Sequence, residues 1–102
     1  MNLQVLMRRY EAMYILRPTL TEEELEQSVN LFEQTLRSQG VEDLATERRG
    51  KRRLAYEIQK NKEGIYIQMT YSATGPINAE LERMLRLNES VLRHSIFREG
   101  DE

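Results

Sequence analysis

Ile65-Tyr66-Ile67-Gln68-Met69-Thr70-Tyr71-Ser72 alternates strictly, with Ile65, Ile67, Met69 and Tyr71 on one side and Tyr66, Gln68, Thr70 and Ser72 on the other. Successive side chains of a strand point to opposite faces, so this is a strand with an apolar face toward a core and a polar face left open. Before it, Gln59-Lys60-Asn61-Lys62-Glu63-Gly64 reads as a polar turn. Val41 to Ile58 reads as one long strand interrupted near Gly50, where a bulge or bend is expected. Together the two strands predict a long antiparallel hairpin.

Arg48-Arg49-Gly50-Lys51-Arg52-Arg53-Leu54-Ala55-Tyr56 lies inside the first of these strands. Five of the six residues from Arg48 to Arg53 are cationic and none is acidic. The run passes directly into Leu54, Ala55, Tyr56 and Ile58, so it is held on a strand. Lys51 and Arg53 then point one way, Arg52 and Leu54 the other. Guanidinium groups at fixed spacing suit phosphates, because each can bond two oxygens at once. The plainer reading is a solvated edge strand whose charges keep the sheet from pairing with other molecules. The run taken alone is compatible with both.

Upstream, Arg9 to Arg17 alternates as a strand, with Tyr10, Ala12, Tyr14 and Leu16 on one face and Arg9, Glu11, Met13, Ile15 and Arg17 on the other; Pro18 ends it. Thr21-Glu22-Glu23-Glu24 is a capping box, with Leu20 and Leu25 placed to staple across it. Leu25, Val29, Phe32 and Leu36 recur at helical spacing, and Gly40 lets the chain leave. The outer face carries Glu22, Glu23, Glu26 and Glu33, whose first-turn members suit the helix dipole and need no catalytic role.

Downstream, Thr74-Gly75-Pro76 starts a second helix, on which Ile77, Leu81, Met84, Leu85 and Asn88 share a face and Glu82 and Arg86 pair one turn apart. Val91 to Arg98 is the last strand, with Leu92, His94 and Ile96 against Arg93, Ser95 and Phe97.

The order strand, helix, strand, strand, helix, strand predicts an α+β, ferredoxin-like split βαβ fold (βαββαβ), a four-stranded antiparallel sheet with both helices on one face. The helices should cover the side of Ala12, Ile67 and Ile96. The other side, with Arg9, Met13, Ile15, Tyr66, Gln68, Arg93 and Phe97, should be partly bare, and its apolar members suggest a partner. Many RNA-recognition modules share this fold and stack bases on sheet aromatics. Here Lys62-Glu63-Gly64-Ile65-Tyr66 matches their signature only faintly, because Ile, Gln and Met fill most of the stacking positions.

With 102 residues the chain has room for one domain, residues 1–102, with 1–7 as an N-terminal extension and 99–102 as a loose acidic tail. The formal net charge is −2, from 17 acids and 15 bases; setting aside the five bases of Arg48 to Arg53 leaves 17 against 10, or −7. Positive charge is therefore local, and a local patch can neutralise phosphates on a mildly acidic protein. There is no cysteine, hence no disulfide, thiol nucleophile or thiolate metal site. No apolar run has the length of a membrane span, and the N-terminus lacks the pattern of a signal peptide. The only histidine, His94, alternates with Leu92 and Ile96 and is expected to pack against the core, with no orienting partner supplied by its spacing. No catalytic residue, metal site or cofactor is expected.

Four blocks carry a resemblance: Met7-Arg8-Arg9-Tyr10-Glu11, Gly50-Lys51-Arg52-Arg53-Leu54-Ala55-Tyr56, Gly64-Ile65-Tyr66 and Arg86-Leu87-Asn88-Glu89-Ser90-Val91-Leu92-Arg93. In this order, from Met7 to about Arg98, the chain resembles the family of the sixth protein of the bacterial small ribosomal subunit. The resemblance implies the split βαβ fold and no catalysis. It also implies a cytoplasmic place in the ribosome, binding to the central domain of small-subunit ribosomal RNA together with the eighteenth small-subunit protein, and no small-molecule substrate or membrane. It makes Arg8, Arg9, Arg52, Arg53 and Arg93, with Lys51 beside them in the run, the expected RNA contacts. Met13, Ile15, Tyr66 and Phe97 form the expected protein-partner face. Tyr10 also matches the family, but alternation turns it toward the helices. Three departures stand out: Glu57 where the family often has proline, six extra leading residues, and an end at Glu102 where many relatives continue. The alternative function is a ferredoxin-like domain that binds a small molecule or associates with itself.

Overall fold

The computed structural model describes residues 6–100; residues 1–5 of the expected extension and 101–102 of the expected tail lie outside the described residues. The elements run β1 (Arg8–Leu16), α1 (Glu22–Ser38), β2 (Glu42–Ile58), β3 (Asn61–Ala73), α2 (Ile77–Leu87) and β4 (Val91–Arg98). The sheet has the order β2-β3-β1-β4 with every neighbouring pair antiparallel, the split βαβ arrangement that the element order predicts.

Cross-strand rows set the two faces. Ala12 stands between Met69 and Ile96, and Tyr14 between Ile67 and His94. Against these rows α1 packs Leu25, Val29, Phe32 and Leu36, and α2 packs Leu81 and Leu85, all buried. Each such side chain contributes about 1.5–3 kcal/mol relative to exposure. Tyr14 meets Phe32 edge to face with ring centroids 5.0 Å apart. The Tyr71 hydroxyl donates to Asn78 Oδ1 at 2.7 Å, tying α2 to the sheet. Burial pushes the phenols of both tyrosines well above their ordinary range.

Helix α1 begins where the capping box places it. The Thr21 hydroxyl accepts from the Glu24 amide at 3.1 Å, and the Glu24 carboxylate accepts from the Thr21 amide at 2.9 Å. Its exit runs through Gly40 at φ +87°, a left-handed conformation that glycine adopts without steric cost.

Four local features differ from the sequence reading. The hairpin turn is only Gln59-Lys60, both at positive φ (49° and 68°), and Ile58 pairs with Asn61, so Asn61–Gly64 are strand rather than turn. A two-residue turn of this hand matches the right-handed twist of its strands, and the Asn61 side chain supports it by donating to the carbonyls of Ile58 and Gln59. The β1–β4 register shifts between Ile15 and Leu16, with Arg93 opposite Ile15 and Val91 opposite Leu16. Leu92 is thereby displaced from the face of His94 and Ile96 and packs with Ile15 and Leu54, while Val91 takes the core position. At the end of β4, the Glu99 amide donates to the Arg9 carbonyl at 2.9 Å, so the first residue of the expected loose tail is tied to β1.

The fourth difference concerns the open face. Between the pairs Arg53↔Glu63 and Ile58↔Asn61, the four residues Leu54–Glu57 of β2 stand opposite Lys62 alone. The surplus chain bends over the open side of the sheet. There Leu54, Ile15 and Leu92, each under a tenth exposed, form a second apolar cluster with Ile58 and Tyr66 at its rim. One end of the face expected to be bare is therefore covered.

Candidate nucleic-acid interface

The basic run divides when it folds. A register shift between Arg48 and Gly50, with Gly50 at φ +87°, marks the expected bulge. Arg48, opposite the core residue Ile67, reaches α1 and forms a 2.6 Å ion pair with Glu26. Arg49 turns to the open face, where its Nε donates to Gln68 Oε1 at 2.9 Å and its Nη2 lies 3.3 Å from Glu47. Lys51 stands opposite Ile65 and Arg53 opposite Glu63, on the helix side of the outer strand, and Arg52 stands opposite Gly64 on the open side. This is the alternation the sequence predicts. Lys51, Arg52 and Arg53 are exposed; among the described residues none of the three has an acidic partner, and Arg52 donates only to the Arg49 carbonyl at 3.3 Å.

The remaining candidate cations occupy different places. Arg9 is half-buried on the open face and donates to the Asp43 carbonyl at 3.1 Å and to Ser72 Oγ at 3.2 Å, so much of its hydrogen-bonding capacity serves the join between β1, β2 and β3. Arg8 is exposed beside Ala73, on the helix side. Arg93 is exposed on β4, the opposite outer strand from β2. It lies over the Tyr56 ring at 5.2 Å from the centroid and donates to the Tyr56 hydroxyl. Tyr56 comes from the surplus segment of β2, so this contact joins the two sheet edges across the open face.

Of the four residues expected to meet a protein partner, Phe97 is 56 % exposed and Met13 and Tyr66 are half-buried. Ile15 is 7 % exposed beneath Leu54 and Leu92, which makes it a support of this surface and takes it out of direct contact. His94 lies on the helix-covered side, as expected, but it does have an orienting partner. Its Nε2 is 3.0 Å from Glu82 Oε2, and Glu82 also pairs with Arg86. The hydrogen bond from His94, then Arg86, holds the Glu82 carboxyl below its ordinary range. The cluster fastens α2 to β4. Among the described residues no three carboxylate or imidazole groups gather as a metal site.

Tyr56 and Arg49 are the site residues that sequence reasoning passed over. Arg49 belonged to the quoted run, but its place on the open face depends on the bulge. Tyr56 was quoted as a strand residue and within a block of the family resemblance, and nothing local shows that it crosses the sheet.

An open sheet face flanked by exposed arginines is a surface whose charge suits a polyanionic partner. The family model described as Ribosomal protein S6 matches residues 9–98, and the chain belongs to that family. It is 55 % identical to Small ribosomal subunit protein bS6 of Cyanothece sp. over 85 residues, covering 83 % of this chain and 80 % of the relative. With the protein of the same name from Gloeobacter violaceus it shares 50 % identity over 93 residues, 91 % of this chain and 97 % of the relative. The crystal structure of 30S ribosomal protein S6 from Thermotoga maritima superposes with a TM-score of 0.84 at 33 % identity, covering 93 % of this chain and 90 % of that one. The family is structural rather than catalytic, and its place is the small subunit of the cytoplasmic ribosome. Among the described residues no helix is long and apolar enough to cross a membrane.

Proposed function

We propose that this chain is an architectural protein of the small ribosomal subunit that binds the central domain of its ribosomal RNA cooperatively with the eighteenth small-subunit protein. One observation carries the reading beyond family membership: Lys51, Arg52 and Arg53 are exposed on a strand with no acidic partner among the described residues, while Arg48 and Arg49 of the same run are matched by Glu26 and Glu47. Guanidinium and ammonium groups placed in this way hold folded RNA through its phosphates and shape. Arg8, Arg93 and the free capacity of Arg9 extend the contact. Met13, Phe97 and the exposed part of Tyr66 offer a second protein an apolar surface, with Ile15 beneath as support. Each partner then lowers the ordering cost that the other meets, which makes assembly cooperative.

The test is a salt titration of binding to a central-domain RNA fragment, with and without the second protein, for the wild type and for Arg52→Ala/Arg53→Ala. Removing one charged hydrogen bond to a phosphate weakens binding by about 1.5 kcal/mol or more, roughly tenfold, and flattens the plot of log K against log salt by about 0.7–0.9. The double variant should therefore bind at least about a hundredfold more weakly, with a slope shallower by about 1.4–1.8 and an unchanged melting temperature. Equal affinity and equal slope would remove the hairpin from the mechanism.

A further inference from the structure

The surplus segment Leu54–Glu57 creates a groove of about 190 Å³ on the open face, lined chiefly by Ile15, Leu54, Ala55, Tyr56, Tyr66 and Arg93. The floor is dry: Ile15 and Leu54 are 7 % and 8 % exposed and belong to the cluster separate from the main core. The wall is a flat ring, Tyr56, 58 % exposed and fixed by Arg93, which lies over it and takes its hydroxyl as acceptor. The volume is below the roughly 300–1,000 Å³ of pockets for drug-sized ligands. An apolar floor, an exposed ring and one cation at the rim complement a single nucleotide, with a heterocycle for the ring and a phosphate for the guanidinium.

We propose that this groove receives one unpaired base of the bound RNA, stacked on the face of Tyr56 that Arg93 leaves open, with the adjoining phosphate on Arg93. The inference rests on the ribosomal RNA reading above and adds to it a site for a base. RNA is read mainly at unpaired nucleotides, whose faces stack on aromatic rings or guanidinium planes. The sheet positions used for stacking in RNA-recognition modules are occupied here by Ile, Gln and Met, and the surplus segment supplies a ring from the sheet edge instead. A second groove shares Leu54, Ala55 and Tyr56 and adds Arg53 and Lys62 beside the single carboxylate of Glu57, so cations line both grooves that the ring borders.

The test uses the full chain with the second protein and a central-domain RNA fragment carrying 2-aminopurine at its unpaired adenines, one at a time. Tyr56→Ala should weaken binding by about five- to hundredfold, the range for losing one stacked base, with the slope against salt unchanged because no phosphate partner is removed. Tyr56→Phe keeps the ring and should bind within about threefold of wild type. One 2-aminopurine should lose fluorescence on wild-type binding and keep it with Tyr56→Ala. If wild type and Tyr56→Ala bind the RNA equally and no probe distinguishes them, the base site is overturned while the phosphate reading stands. If Tyr56→Ala weakens capture of the second protein without RNA, the groove belongs to that protein and the proposal fails. If wild type binds no RNA at all, both readings fall together.

Discussion

Gly64→Ala tests the packing beneath the open face. A Cβ at this position would collide with Ile15 Cγ2, far inside van der Waals contact, and would lie 3.4 Å from the Leu16 carbonyl oxygen and 3.5 Å from Leu54 Cδ2. The Ile15 methyl cannot swing aside cheaply, because a β-branched side chain is stiff at χ1 and Ile15 is only 7 % exposed. Overpacking of this kind costs about 1–3 kcal/mol, and so severe an overlap belongs near about 2. Replacing glycine with alanine also restricts the unfolded chain, which returns about 0.5 kcal/mol. The net cost is about 1.5 kcal/mol. With a urea m-value of about 1.5 kcal/mol/M, the midpoint should fall by about 1 M. Ile15→Ala alone should cost about 2–5 kcal/mol, but in the double variant the two changes should cost less than their sum, because removing the Ile15 branch makes room for the new methyl. Urea unfolding of the four proteins, followed by circular dichroism, gives the cycle. A Gly64→Ala protein as stable as wild type, or full additivity in the double variant, would refute the view that Gly64 is there to let Ile15 and Leu54 close the second cluster.

The hairpin turn holds two ordinary residues, Gln59 and Lys60, in left-handed backbone at φ 49° and 68°. Gln59→Asn/Lys60→Gly should relieve that strain and raise stability by about 1 kcal/mol, read as a higher urea midpoint; a lower midpoint would show that the Arg17 hydrogen bond to Gln59 Oε1, at 2.6 Å, matters more. In alkali, Tyr14 and Tyr71 should stay protonated until the fold opens, because burial raises both above the ordinary value of 10.0. Above pH 10 the unfolded chain then holds fewer protons than the folded one, so stability falls as pH rises. Absorbance at the tyrosinate band should show these two of the five tyrosines titrating together with loss of helix signal; smooth ionisation of all five in a folded chain would contradict it.

Much of the fold could be read because its instructions are local. The alternation of Ile65 to Ser72, the capping box at Thr21 and the spacing of Leu25, Val29, Phe32 and Leu36 each act within a few residues, and each produced the element it predicts. The failures have a common cause in long-range geometry. Leu92 changed faces because a one-residue register shift beside it moves a side chain across the sheet, and nothing in Val91-Leu92-Arg93 marks the shift. Gln59-Lys60 carries no Gly or Asn to announce a tight turn, so it did not stand out from the rest of Gln59–Gly64. Glu82 and His94 are 12 residues apart on different elements, and Arg48 and Glu26 are 22 apart; both pairs exist only after the helices dock. Tyr56 reaches Arg93 across 37 residues of sequence for the same reason.

The pairing of charges shows which members of the basic run the proposed RNA contact has at its disposal. In this fold acids are at hand for part of the run. Glu26 takes Arg48, Glu47 takes Arg49, and Glu80 and Glu82 take Arg83 and Arg86 on α2. Exposed pairs of this kind add little stability, on the order of 0–1 kcal/mol each, so their main effect is on the surface potential. They neutralise Arg48 and Arg49 within the run and Arg83 and Arg86 on α2, while Lys51, Arg52 and Arg53 keep their charge on the outer strand. At an overall charge of −2, the molecule thus keeps three adjacent unmatched cations on the hairpin, and in the proposed RNA complex they would orient the polyanion toward that strand and away from the glutamate-rich face of α1.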